Sequence, residues 1–144
     1  MTRHLKDEIN ACLVAFAPDG EHAAQTAWVF PPEFTGFRGH FPGGPVCPGV
    51  CILAAQLEAA ARLVGTELDL LEIVNTKFMW PVFPARRVDG WVKAAPADDG
   101  CWRVQAELKC GKRHIAKCLF LVRERICKKR KEDGAQKTQE GGMA

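Results

Sequence analysis

A chain of 144 residues holds one domain with a core and is short for two. Its 47% apolar content and eight Phe exclude a disordered chain, and the absence of any unbroken apolar run of about 18 residues excludes a membrane-spanning helix. Residues 1–124 carry 14 Lys/Arg against 14 Asp/Glu, so the net charge of +3 falls wholly in residues 125–144, which carry six against three. The cluster Lys128-Lys129-Arg130-Lys131 has no interleaved aromatics and no nucleic-acid motif around it, so it reads as solvated, with no nucleic acid as partner.

In chain order, the opening "MTRHLKDEIN" is charged throughout and lacks the apolar segment of a secretory signal. Seven scattered cysteines fit reduced thiols, and together these features predict a cytoplasmic protein with no membrane partner. Ile9 to Ala17 and Ala23 to Phe30 read as two strands joined by "PDGEH", whose Pro-Asp-Gly is a turn signal. Pro and Gly then crowd residues 31–49 and predict a long loop. "VCILAAQLEAAARLV" follows, with Gln56, Glu58 and Arg62 its only polar members. That composition predicts a helix apolar on nearly every face, stopped at Gly65 and covered by a sheet or a second subunit. From Leu70 four strand-like segments follow, "LLEIVNTKFMW", "RRVDGWVKAAP", "CWRVQAELKC" and "RHIAKCLFLVRER". In the third, Trp102, Val104, Ala106 and Leu108 alternate with Arg103, Gln105 and Glu107, which makes one sheet face buried and the other wet. The fold class is α+β, an antiparallel β-sheet wrapped around one long central apolar helix, with the domain at 1–124 and a flexible basic and polar tail at 125–144.

Two blocks carry a resemblance. "GHFPGGPVCPGV", Gly39 to Val50, matches G-H-F-P-x-x-P-x-x-P-G-V at every fixed position, and Phe78, Pro81, Val82 and Pro84 fall on F-x-x-P-V-x-P. The chain resembles, over roughly residues 5–124, the hotdog-fold (3R)-hydroxyacyl-acyl carrier protein dehydratases. The resemblance implies removal of water from a 3-hydroxyacyl thioester borne on the phosphopantetheine arm of acyl carrier protein, with no metal and no redox cofactor. It implies His40 as the base at C2 and the Gly49 amide as the group that polarises the thioester carbonyl. Phe41, Pro48, Val50, Ala54 and Arg38 are the implied substrate-binding neighbours. A homodimer is implied too, with the acyl tunnel at the interface and higher oligomers open. General chemistry agrees: imidazole titrates near working pH, and free amides at a helix start suit a developing enolate oxygen.

The chain departs from that family at one place. The family carboxylate stands fourteen residues after the histidine, where this chain has Ala54, and a methyl group transfers no proton. Glu58, one turn on, shares that face to within about 40° but lies roughly 6 Å further along. It is either a relocated acid or one half of an i,i+4 pair with Arg62. Gln56, about 200° round the helix, faces away. Asp69 and Glu72 begin the next strand, at no distance that sequence defines. Cys47 and Cys51 make H-x6-C-x3-C with His40, a spacing without the further ligands zinc needs, so they read as small core residues. Arg86 and Arg87, with Arg38, meet either solvent or an acidic carrier. The tryptophans at 28, 80, 91 and 102 are expected in the core or at a dimer contact. Three functions stay open: dehydratase, a thioesterase with a water placed by Glu58, and a noncatalytic acyl-binding or partner subunit.

Overall fold

The computed structural model describes residues 3–38 and 44–125. His40, Phe41 and residues 126–144 lie outside the described residues.

The first element is a departure from expectation. Arg3–Ala11 is a helix, α1, and strand β1 starts only at Leu13 and runs to Pro18. Leu5 and Ile9, four apart, give α1 a narrow apolar stripe. Ile9 is fully buried. The charged residues around that stripe hide it from a strand-like reading of Ile9 onward. β1 and β2 (Ala23–Val29) form the expected hairpin, with Gly20 at φ 93° in the turn.

The long loop holds a short 3-10 turn at Thr35–Phe37 and ends at Pro48, the N-cap of α2 (Gly49–Val64). α2 stops where expected: Gly65 takes φ 92° and its N–H returns to Ala61 O at 2.8 Å. Four strands follow: β3 (Leu68–Phe78), β4 (Arg87–Pro96), β5 (Cys101–Cys110) and β6 (Arg113–Glu124). All pair antiparallel in one sheet of order β1-β2-β4-β5-β6-β3.

The sheet curls round one side of α2. Ala55, Ala59 and Ala60 are fully buried there, and their small side chains let the helix lie close against Val88, Val92, Val104 and Phe120, which are also fully covered. β5 alternates as its sequence implies, with Val104, Ala106 and Leu108 inside and Arg103 and Gln105 outside. Trp28 is in the core, stacked on Phe30 with centroids 6.0 Å apart. Trp102 is half-buried and donates to Glu124 Oε2 at 2.9 Å, whereas Trp80 and Trp91 are exposed, so of the set only Trp28 is a core residue of this chain.

β3 is the opposite of β5. It has one neighbour, β6, and its register slips between Leu70 and Glu72 and again between Ile73 and Asn75. Each slip turns the following side chains over, and Leu70, Leu71, Ile73 and Val74 all stay 40–47% exposed. At the far end Arg125, the first residue of the expected tail, is still tied down: its N–H reaches Glu67 O at 2.9 Å and its guanidinium holds Asp69 at 2.8 Å and also Glu67. No helix among the described residues is long and apolar enough to cross a membrane.

Candidate active site

The expected site lies where the loop, the α2 start and the β3–β4 connection meet. The Cys47 N–H donates to Val82 O at 2.8 Å, which pins the chain just ahead of Pro48 to that connection. Pro48 is extended at φ −61° and ψ 149° and has no N–H. Its carbonyl takes the amides of Cys51 and Ile52 at 3.0 and 3.1 Å. Among the described residues nothing accepts from the amides of Gly49 and Val50. A helix start thus offers two free donors and the positive end of its dipole at the place the motif marks.

Glycine at 49 has a packing reason. A Cβ there would lie 2.9 Å from Cε2 and 3.0 Å from Cζ of Phe78, closer than carbon atoms approach. The Phe78 ring, itself 49% exposed, forms one wall beside the free amides. Val50 points outward, 73% exposed. On the connection, Ala85 sits at φ 64°, a left-handed conformation unusual for a residue with a side chain, and its N–H donates to Phe30 O at 2.7 Å.

The structure separates the remaining candidates. Ala54 is buried at 9% exposure, one turn beyond the helix start. Glu58 accepts from Asn10 Nδ2 at 3.0 Å and so fastens α2 to α1. It is nine residues past Gly49, roughly 13 Å along the helix. The expected Glu58–Arg62 ion pair does not form among the described residues; the Arg62 guanidinium lies 5.8 Å from the centre of the Phe16 ring instead. Asp69 belongs to Arg125. Gln56 is 1% exposed, and among the described residues its amide finds no partner. Arg38 is exposed, caps the 3-10 turn with its N–H on Thr35 O at 3.0 Å, and adds a minor attraction to the Glu8 carboxylate.

Two contacts that sequence reading missed frame the histidine loop. Glu8 accepts from the Thr35 amide at 3.0 Å and from its hydroxyl at 2.6 Å, and these bonds hold its carboxyl below the usual carboxylate range. No signal in the sequence reveals this clasp, because it needs α1 to be a helix. Cys47 and Cys51 are both 5% exposed, as small core residues should be. The Cys47 thiol donates toward Cys51, which pushes Cys47 up and pulls Cys51 down. Burial alone lifts Cys118 to about 11 and, with some help from the Glu8 charge, Cys12 to about 11. The described residues contain no group of three or more His, Cys, Asp or Glu arranged to hold a metal.

Known proteins are similar to this chain in sequence and in fold. A family model described as ApeI dehydratase, of the ApeI-like type, matches residues 17–114, which includes both motif blocks. The 3-hydroxyacyl-[acyl-carrier-protein] dehydratase FabZ of Anaeromyxobacter sp. (strain Fw109-5) is 33% identical over 60% of this chain and 61% of its own length. FabZ of Allorhizobium ampelinum is also 33% identical, over 63% of this chain and 64% of its own. The chain thus spans less than two thirds of the curated relatives it matches. Among solved structures, the dehydratase heterocomplex ApeI:P from Xenorhabdus doucetiae superposes with a TM-score of 0.64 at 19% identity, over 78% of this chain and 96% of that one. The E. coli PaaI protein from the phenylacetic acid degradation operon superposes with a TM-score of 0.60 at 13% identity, over 84% and 93%. At such identities these two show the fold alone, and it is the hotdog fold.

Proposed function

The chain belongs to the ApeI-like dehydratase family, and from that premise we propose that it removes water from 3-hydroxyacyl thioesters carried on acyl carrier protein. His40 takes the C2 proton, and the amide of Gly49 holds the carbonyl oxygen as negative charge gathers on it. The observation that carries this reading is the pair of amides at the α2 start that have no partner among the described residues, kept open by a residue without a side chain beside the Phe78 ring. We assign Phe41, Pro48, Val50 and Arg38 to binding the acyl substrate.

The acid is the difficult part. A well-placed acid or base is worth about 10²–10⁴ in rate, and Ala54 supplies none. Glu58 is engaged by Asn10, so we assign it to holding α1 on α2 and not to the leaving hydroxyl. The exposed apolar edge of β3 and the outward Val50 favour a second hotdog chain against this one. A homodimer satisfies that surface. The absence of a carboxylate at Ala54 favours a second reading, in which the partner is a different chain that brings the acid; one solved structure of similar fold is itself a dehydratase heterocomplex.

One assay tests the proposal: the protein is given a 3-hydroxyacyl and, separately, a 2-enoyl carrier-protein thioester, and both interconversion and free thiol are followed. Interconversion that His40→Ala abolishes and Glu58→Gln leaves intact is the expected result. Release of thiol instead makes the protein a thioesterase, and retention of the substrate without either product makes it a binding subunit. A Glu58→Gln variant with turnover reduced a hundredfold returns that residue to the catalytic set.

A further inference from the structure

Beside the site, and not part of it, is a second concavity. It has a volume of about 490 Å³ and lies between the β3–β4 connection and the β5–β6 turn, lined by Trp80, Val82, Phe83, Arg86, Lys112 and Arg113. Its chemistry is one-sided. Three cations line it and no carboxylate does, and among the described residues none of the three has an acidic partner. Neighbouring cations are compensated: Arg87 holds Asp89 at 3.0 Å, and Lys117 lies 3.7 Å from Glu107. Two other surface concavities mix signs, one with Glu107 beside Lys77 and Lys117, the other with Asp19 and Glu21 beside Lys93 and Arg103.

The walls are aromatic as well as basic. Trp80 and Phe83 keep 41% and 38% of their surface exposed, although a chain with a core to fill gains by covering them. The Arg113 guanidinium lies 3.9 Å from the centre of the Trp80 ring, which stiffens that cation and leaves its N–H groups free to point outward. Flat apolar walls with a few convergent charges are the composition of a small-molecule site, and the volume is in the usual range of roughly 300–1,000 Å³. Guanidinium forks suit phosphate oxygens, and exposed rings suit a nucleobase.

Resting on the thioester reading above, we propose that this cavity binds the phosphorylated nucleotide end of a coenzyme A-type thioester, with the base against Trp80 and Phe83 and the phosphates against Arg86, Lys112 and Arg113. The connection is direct: Val82, on the cavity wall, accepts the N–H of Cys47, two residues before Gly49. A pantetheine arm leaving the cavity therefore starts beside the segment that presents the free amides. The chain accepts acyl groups on a soluble nucleotide carrier in addition to those on a protein.

The test is calorimetric titration of the full chain with adenosine 3′,5′-bisphosphate, set against adenosine and inorganic phosphate. The bisphosphate is expected to bind at least about tenfold tighter than either fragment, and less tightly as salt is raised. Arg86→Ser with Lys112→Ser, both exposed positions, should weaken it about tenfold or more with the fold retained by circular dichroism. Trp80→Leu should leave it no tighter than inorganic phosphate. No heat at millimolar bisphosphate, an affinity unchanged by the double substitution, or equal binding of inorganic phosphate each overturns the proposal. The probe has no acyl group and no thioester, so its binding is read apart from turnover. A protein that dehydrates carrier-bound substrate and ignores the bisphosphate sinks this inference and spares the proposed function.

Discussion

Strands β3 and β5 are close in length and in apolar content, yet they live in different surroundings. β5 has strands on both sides and a strict inside-outside alternation that sends Val104, Ala106 and Leu108 into the core. β3 has a strand on one side, two register slips and four large aliphatic side chains half in water. Apolar content on β5 is explained by this chain's own core. On β3 it is not, and a long apolar edge left open is a surface that proteins cover or blunt. The contrast separates residues that make the fold from residues that meet something else.

Substitutions of equal chemistry on the two strands break or confirm this division. Val104→Asp places a charge without a partner in a fully covered site and should cost about 4 kcal/mol or more, seen as loss of a cooperative thermal transition. Ile73→Asp, at a site 47% exposed, should leave the fold intact and weaken self-association by about 2 kcal/mol, roughly thirtyfold in dissociation constant by sedimentation. If Ile73→Asp leaves the mass in solution unchanged, the edge of β3 is not where a second copy sits.

A smaller effect sharpens the comparison at the end of β3, where Phe78 covers Gly49. Gly49→Ala drives a methyl into the ring and should cost about 1 kcal/mol in denaturant unfolding, since an exposed ring swings aside more easily than a core side chain yields. Turnover should fall much further than stability, and Phe78→Leu in the same chain should recover part of the stability. A Gly49→Ala protein with full activity argues that the amide there is not used.

The smallest effect is at α1. Hydrogen bonds from Thr35 hold the Glu8 carboxyl below its usual range, so folding favours the ionised form. The stabilisation is therefore present above the ordinary carboxylate pKa and is lost as the pH falls through the lowered value. Thr35→Ala should lower the urea midpoint slightly at neutral pH and flatten the acid limb of the midpoint against pH profile, so that the two proteins converge in acid. An unchanged acid limb shows that the clasp adds nothing.

Sequence was a good guide wherever the signal was local. β5 ran from Cys101 to Cys110 in the residues as in the fold, and Pro48-Gly49 and Gly65 bracketed α2, because alternation and helix ends are written in adjacent residues. α1 was missed because its stripe is only Leu5 and Ile9 among charges, and it shows as a helix only when α2 lies against it. The free amides at Gly49 were legible from the motif, and the loss of the acid at Ala54 was plain. The partner of Glu58 was not, since Asn10 stands 48 residues away on that unforeseen helix. Nor were the slips in β3, which depend on how a neighbouring strand is laid down.

α1 lies antiparallel to α2: Lys6 meets Glu67 at 3.1 Å just past the end of α2, while Asn10 meets Glu58 midway along it. The start of α1 therefore lies by the C-terminal end of a sixteen-residue helix, about 24 Å from Gly49. That end is the natural place to attach a fluorophore, an affinity handle or a solid support, because a cargo anchored there stays clear of the free amides at the α2 start.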